Sequence, residues 1–197
     1  GLAALMAEKE PEITSNEMNS IISLTCVKTI NPGILQDNTQ GWGLIQGYAA
    51  LDALDNPIKV ETDSTFEFSL DESEAVFCQP IELSSNHYFF ELDTSQGGDA
   101  EIFIFDSKPD DYGNPISISH SLNTLNILTA NKQVGVFTLV DHTYYLVVKL
   151  KDINSSGTYQ IRLVFDSRML FLFFLFGLNA LSLVLIVKYY KISRVKI

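Results

Sequence analysis

The run from Met169 to Val187 constrains this chain more than any other feature, because it is nineteen residues long and carries no charge. Wound as a helix at about 1.5 Å per residue, it would reach roughly 28 Å, close to the hydrocarbon thickness of a bilayer. Fourteen of its positions are Leu, Phe, Ile or Val, each favouring insertion by roughly 0.3 to 0.6 kcal/mol, and Asn179 and Ser182 reduce that total without cancelling it. Soluble cores seldom contain so long an uninterrupted apolar run. The sequence therefore predicts one transmembrane helix over residues 167–188, touching membrane lipid through Met169 to Val187. From Lys188 to Ile197 there are four basic residues and no acid. The positive-inside rule then puts the basic tail, residues 189–197, in the cytoplasm and everything before the span outside, as a single-pass protein of the cell membrane.

The expected extracytoplasmic part is strongly acidic. Up to Ser167 it has eight Lys or Arg against 24 Asp or Glu, a net charge of -16 within a whole-chain net of -11. That excludes the basic footprint of a nucleic-acid binder. It suits a soluble surface, a salty medium or cation binding. With 197 residues the chain can hold one ordinary domain, or a small domain with attached fragments, and not two large enzyme domains. Gly1 to Ala7 reads as the middle of an apolar helix without initiator Met or signal-peptide features, so the chain is expected to be the C-terminal piece of a longer polypeptide. Cys26 and Cys78 would lie in an oxidising compartment, where a disulfide is permitted; two buried free thiols are the other reading.

Periodicity divides the chain at about residue 57. A helix ends near Glu10 and Pro11 punctuates it. Thr14 followed by Glu17 makes a capping-box pattern for a second helix bearing Met18, Ile21, Ile22 and Leu24. A loop rich in turn residues runs from Asn31-Pro32-Gly33 to Gly41-Trp42-Gly43. Leu44, Ile45, Tyr48, Leu51 and Leu54 then follow at helical spacing, until Asp55-Asn56-Pro57 breaks the pattern. From Ile58 the period becomes alternating. Residues 65–70, 88–92, 101–105, 134–139, 144–148 and 159–163 read as strands, separated by turn signals such as Gly97-Gly98, Gly113-Asn114-Pro115 and Asn154-Ser155-Ser156-Gly157. Short strands in this number, with no helical pattern between them, predict an antiparallel β-sandwich over residues 58–166. The expected fold class is thus mixed: a helical fragment, a sandwich and one transmembrane helix.

Few residues carry chemistry. Asp106, Asp110 and Asp111, with Asn114 nearby, form an acidic turn able to offer oxygen ligands to Ca²⁺; the spacing is not that of an EF-hand, and a solvated turn is the alternative. His87, His120 and His142 fall in or beside strands, and no Gly-x-Ser-x-Gly sequence accompanies them. No catalytic or cofactor-binding residue is assigned. Asn154-Ser155-Ser156 is an N-glycosylation sequon on an expected surface loop.

Residues 1–57 carry a resemblance. The order of apolar helix, Pro, capped helix, long loop and Gly41-Trp42-Gly43-Leu44-Ile45-Gln46-Gly47-Tyr48-Ala49-Ala50-Leu51 resembles the C-terminal end of the catalytic domain in subtilisin-like serine peptidases. Gly41, Gly43, Ile45, Ala50 and Leu51 match that pattern, whereas Gln46 and Gly47 stand where the family usually has Asn and Ala. The resemblance implies an incomplete α/β catalytic domain over residues 1–57, with the Asp, His and Ser of the triad before Gly1. The strand-rich part resembles the pre-peptidase C-terminal domain, on Asp99 to Asp106, Thr143 to Val148 and Gly157 to Ile161. Together these imply a membrane-anchored subtilisin-like endopeptidase as parent, acting on protein or peptide substrates, of which this chain alone would be inactive. A non-enzymatic cell-surface adhesion or envelope protein with a binding β-sandwich is the alternative, and a degenerate peptidase kept as a scaffold is a third.

Overall fold

Three short helices open the chain. α1 (Leu2–Lys9) runs into a turn at Pro11, and α2 (Ser15–Leu24) begins where the sequence places it. The Thr14 hydroxyl accepts from the Glu17 amide at 3.2 Å, while the Glu17 carboxylate accepts from the Thr14 amide at 2.9 Å. This reciprocal cap satisfies two donors that a helix start leaves without partners. α3 (Gly47–Asp52) is reached through Gly41-Trp42-Gly43. Gly43 sits at φ +113°, and a Cβ there would lie 2.3 Å from the Val27 carbonyl oxygen, so only glycine lets the chain pass so close. That approach lets Val27 and Leu44 exchange two backbone hydrogen bonds, at 2.9 and 2.7 Å. The structure is a computed structural model, and it describes residues 1–28, 36, 39–61, 64–121 and 131–164.

Nine strands follow among the described residues: β1 (Ile58–Lys59), β2 (Thr65–Leu70), β3 (Val76–Leu83), β4 (Asn86–Asp93), β5 (Ala100–Asp106), β6 (Ser117–His120), β7 (Lys132–Thr138), β8 (His142–Leu150) and β9 (Gly157–Val164). They form a five-stranded sheet in the order β1-β3-β8-β5-β6 and a four-stranded sheet in the order β2-β9-β4-β7. β1 pairs with β3 in parallel and the other ladders are antiparallel. Phe77 of β3 stacks on Phe68 of β2 with ring centroids 4.0 Å apart, which fixes the inner face of the five-stranded sheet. Val148 and Ile102 stand in register with Phe77 and share that face. Phe90, Leu92, Tyr159 and Ile161 fill the space from the other sheet.

Strand residues alternate between faces, so Cys78, Val147 and Phe103, in register with one another, point the opposite way. They are buried too. The reason is a third layer: Met6, Ile21, Leu24, Ala49, Ala50 and Ala53 of the helical region belong to the same apolar core as the sheet residues, and α3 packs on β3. Residues from Gly1 to Val164 make one compact unit.

Two expectations are corrected here. The fold is not a helical fragment that has lost its sheet, followed by a separate sandwich. It is mostly β, and its three helices bury their apolar residues on the five-stranded sheet. The transmembrane element of the expected fold class, with the single-pass membrane localisation drawn from it, is also corrected. Among the described residues no helix is long and apolar enough to cross a membrane. The longest, α2, has 10 residues and spans about 15 Å, half of what a bilayer requires. Met169 to Val187 and the tail 189–197, on which the expectation rested, lie outside the described residues.

Candidate functional site

The seam between the helices and the five-stranded sheet concentrates the unusual chemistry. Lys149 of β8 points into it and is buried. Its Nζ donates to the Cys26 carbonyl oxygen at 2.7 Å and stands 5.7 Å from the centroid of the Phe103 ring. Glu101 faces Lys149 across the β5–β8 ladder, yet its carboxylate pairs with Lys151 instead, at 3.1 Å. Burial therefore dominates and pushes the Lys149 ammonium down to about 8. Burial likewise raises the thiols of Cys26 and Cys78 above their ordinary value. Both cysteines are free thiols, so of the two readings of the sequence the structure has the unbridged one.

Two more polar bonds cross the same seam. The Gln46 side chain, which caps no helix, accepts from the Ala75 amide at 3.1 Å, just before β3. Asn19 of α2 donates to the Gly113 carbonyl at 2.9 Å, in the loop between β5 and β6. Gly113 sits at φ +79° with Asn16 against it, so this loop is shaped around α2. Where the seam reaches the surface it forms a cleft of about 320 Å³. Glu10, Glu12 and Asp55 are at this cleft, together with Ile13, Leu54 and Tyr145. Asp55 is already paired with Lys9 at 2.6 Å.

In the acidic turn that the sequence singles out for Ca²⁺, two of the carboxylates have hydrogen-bond partners within the protein. Asp106 is bound to Nε2 of His142 at 2.9 Å. Asp110 turns inward on its own loop, accepting from the amides of Tyr112 and Asn114 at 2.9 and 2.7 Å and from the Asn114 side chain at 3.0 Å. Its bonds to Asn114, side-chain first, hold its carboxyl below the usual carboxylate range. The carbonyl of Asp111 accepts from Asn16 at 3.4 Å, and its residue is exposed. Among the described residues no group of three or more His, Cys, Asp or Glu is arranged to hold a metal ion.

The three histidines stand apart from one another. His142 is hydrogen-bonded to Asp106 and meets Tyr144 edge-on, His120 stacks over Phe103 at 6.1 Å, and His87 lies 4.4 Å from Phe89. Among the described residues, no serine, threonine or cysteine side chain hydrogen-bonds to any of them.

No family model matches this sequence, and no curated protein matches it. Among solved structures the chain is similar to the pre-peptidase C-terminal domain of collagenase from Bacillus anthracis, at 12% identity and a TM-score of 0.44, covering 56% of this chain and 96% of that one.

The seam's lysine was missed in the sequence, although a signal existed. Lys149 interrupts the apolar run Leu146-Val147-Val148-Lys149-Leu150 at a position that shares its face with Val147, so a lysine there had to be buried or the strand had to twist out. Gln46 carried a fainter signal as a departure from the resembled pattern; in the structure its longer side chain reaches the sandwich. Asn154 of the sequon lies on an exposed turn, its amide donating to Asp152 at 3.0 Å.

Proposed function

We propose that this chain belongs to a subtilisin-like serine endopeptidase, of which α1 to α3 and the β-sandwich together form one non-catalytic module. The shared core carries this reading. Met6, Leu24, Ala49 and Ala50 of the helical region are buried together with Cys78 and Val147 of the sandwich. A module tethered by a loose linker would have kept two separate cores. The bonds from Lys149, Gln46 and Asn19 add directional constraints, so the sandwich holds one orientation relative to the helices.

In the parent, a serine attacks the substrate's peptide carbonyl while a histidine, oriented by an aspartate, takes its proton and passes it to the amine that leaves as the C–N bond breaks; water then hydrolyses the acyl-enzyme and frees the serine. These three residues would precede Gly1. The sandwich contributes position rather than chemistry, presenting a second surface to protein or peptide substrates near the cleft. The coding sequence upstream of Gly1 should contain a Gly-Thr-Ser shortly before it, with Asp and His motifs further back. A fluorophosphonate probe should label the full-length parent and leave residues 1–197 unlabelled. An intact upstream domain without those motifs, or a full-length protein that resists the probe, overturns the reading.

One observation favours a second reading, a non-enzymatic surface protein with a binding sandwich. On the solvent face of the four-stranded sheet, Phe137 is 64% exposed beside His87, whose ring is 6.1 Å away. An exposed aromatic ring on a sheet face is suited to holding a partner. The upstream sequence separates the two readings.

A further inference from the structure

We propose that the seam between the helices and the five-stranded sheet is a pH-responsive joint governed by Lys149: with a proton on its amine the joint opens more readily, and without it the joint closes. The proposal does not depend on the peptidase reading.

The geometry supplies the reason. Lys149 ties the chain just after α2 to β8 through a single bond to the Cys26 carbonyl. No carboxylate among the described residues pairs with it, since Glu101, its cross-strand neighbour, is engaged by Lys151. The ring of Phe103 offers a face to the cation, which is a weaker partner than a carboxylate. Lys28, also buried, adds a like charge from the helical side. A charged amine in this position gains water when α2 and residues 25–28 lift away, whereas a neutral amine keeps its hydrogen bond at little cost.

Other titrating groups face the seam. From the helical side these are Cys26, Lys28, Glu17 and Asp52; from the sheet they are Cys78, Glu101 and Tyr145. The two thiols oppose the effect, because burial raises them and opening lets them ionise at alkaline pH. Their contribution is common to wild type and to a variant changed only at Lys149, so a ratio of the two removes it.

Hydrogen exchange on the full chain, followed in peptides covering α2 and residues 25–28 and corrected for intrinsic rates, reads the joint directly. Between pH 7 and pH 9 the opening equilibrium of the wild type should fall about tenfold relative to that of Lys149→Met, given an amine at about 8 in the closed state against 10.5 when free. A ratio that stays constant over this range overturns the proposal. Should Lys149→Met fail to fold, the wild type alone decides: a carbon-13 NMR titration of the Lys149 side chain with a midpoint near 8 supports the joint, and a midpoint near the free value of about 10.5 sinks it.

Discussion

At Lys149 two effects of similar size oppose each other, and pH decides which prevails. The folded state holds the amine near 8 against 10.5 in the unfolded chain, so folding favours the neutral form. Below pH 8 the cost of burying the charge is present in full, roughly 3 kcal/mol; it fades as pH rises towards 10.5. Replacing Lys149 by Met removes that cost and leaves the Cys26 carbonyl without its donor, a loss of about 1 to 2 kcal/mol. Lys149→Met should therefore be more stable than wild type by about 1 to 2 kcal/mol at pH 7, and less stable by a similar amount above pH 10.5. Urea denaturation of both proteins across this range checks the crossing; a variant that is destabilised at pH 7 shows that the amine keeps its ordinary proton affinity in the fold and that its burial carries no such cost. This residue also marks what a sequence conceals. Alternation says that a lysine in an apolar strand sits on a face, but whether another layer covers that face depends on contacts 123 positions apart.

Among the elements, those with local causes were legible and those with distant causes were not. α2 begins at Thr14 because the capping box is written within four residues, and it appears where expected. β2, β4, β5, β7, β8 and β9 fall on the predicted alternating runs. β3 was missed, although it pairs with β8 along its whole length. Its sequence, Val76-Phe77-Cys78-Gln79-Pro80-Ile81-Glu82-Leu83, is covered on both faces and so does not alternate cleanly, and Pro80 argues against a strand. The proline is tolerated where β3 has only the two-residue β1 on its other side. The glycine turn into α3 needs backbone freedom, and the structure divides that need between two positions. At Gly41, φ is +60° and nothing stands near an added Cβ, so Gly41→Ala should cost only the left-handed penalty of about 1 to 2 kcal/mol. At Gly43 a Cβ meets the Val27 backbone at 2.3 Å, which cannot swing aside. Gly43→Ala should cost at least about 1 to 2 kcal/mol more than Gly41→Ala, because it also severs the two hydrogen bonds between Val27 and Leu44. Thermal melts of the two variants test this order, and equal losses would show that the close approach is not essential.

The architecture of Gly1 to Val164 turns on whether the sandwich can stand without its helices. Its sequence suggested that it could, because the strands after Ile58 make a sandwich pattern complete in themselves. Burial in the structure argues otherwise. Without residues 1–57 the sheet would expose Cys78, Phe103, Phe105 and Val147, all now buried. At about 1.5 to 3 kcal/mol for each apolar side chain, that loss amounts to roughly 6 to 12 kcal/mol. Exposing Lys149 at the same time returns about 3 kcal/mol at neutral pH. The deficit that remains is comparable to the whole stability of an ordinary domain, which is about 5 to 15 kcal/mol. Residues 58–164 expressed alone should therefore bind a hydrophobic dye such as ANS and lose a cooperative calorimetric transition, while Gly1 to Val164 unfolds in one step. The opposite result, a truncated sandwich that melts cooperatively at the same temperature as the longer chain, would mean that the helices rest on the sheet without supporting it. The rigid coupling on which the proposed role depends would then fail, since a sandwich indifferent to its helices could not be held in one orientation by them.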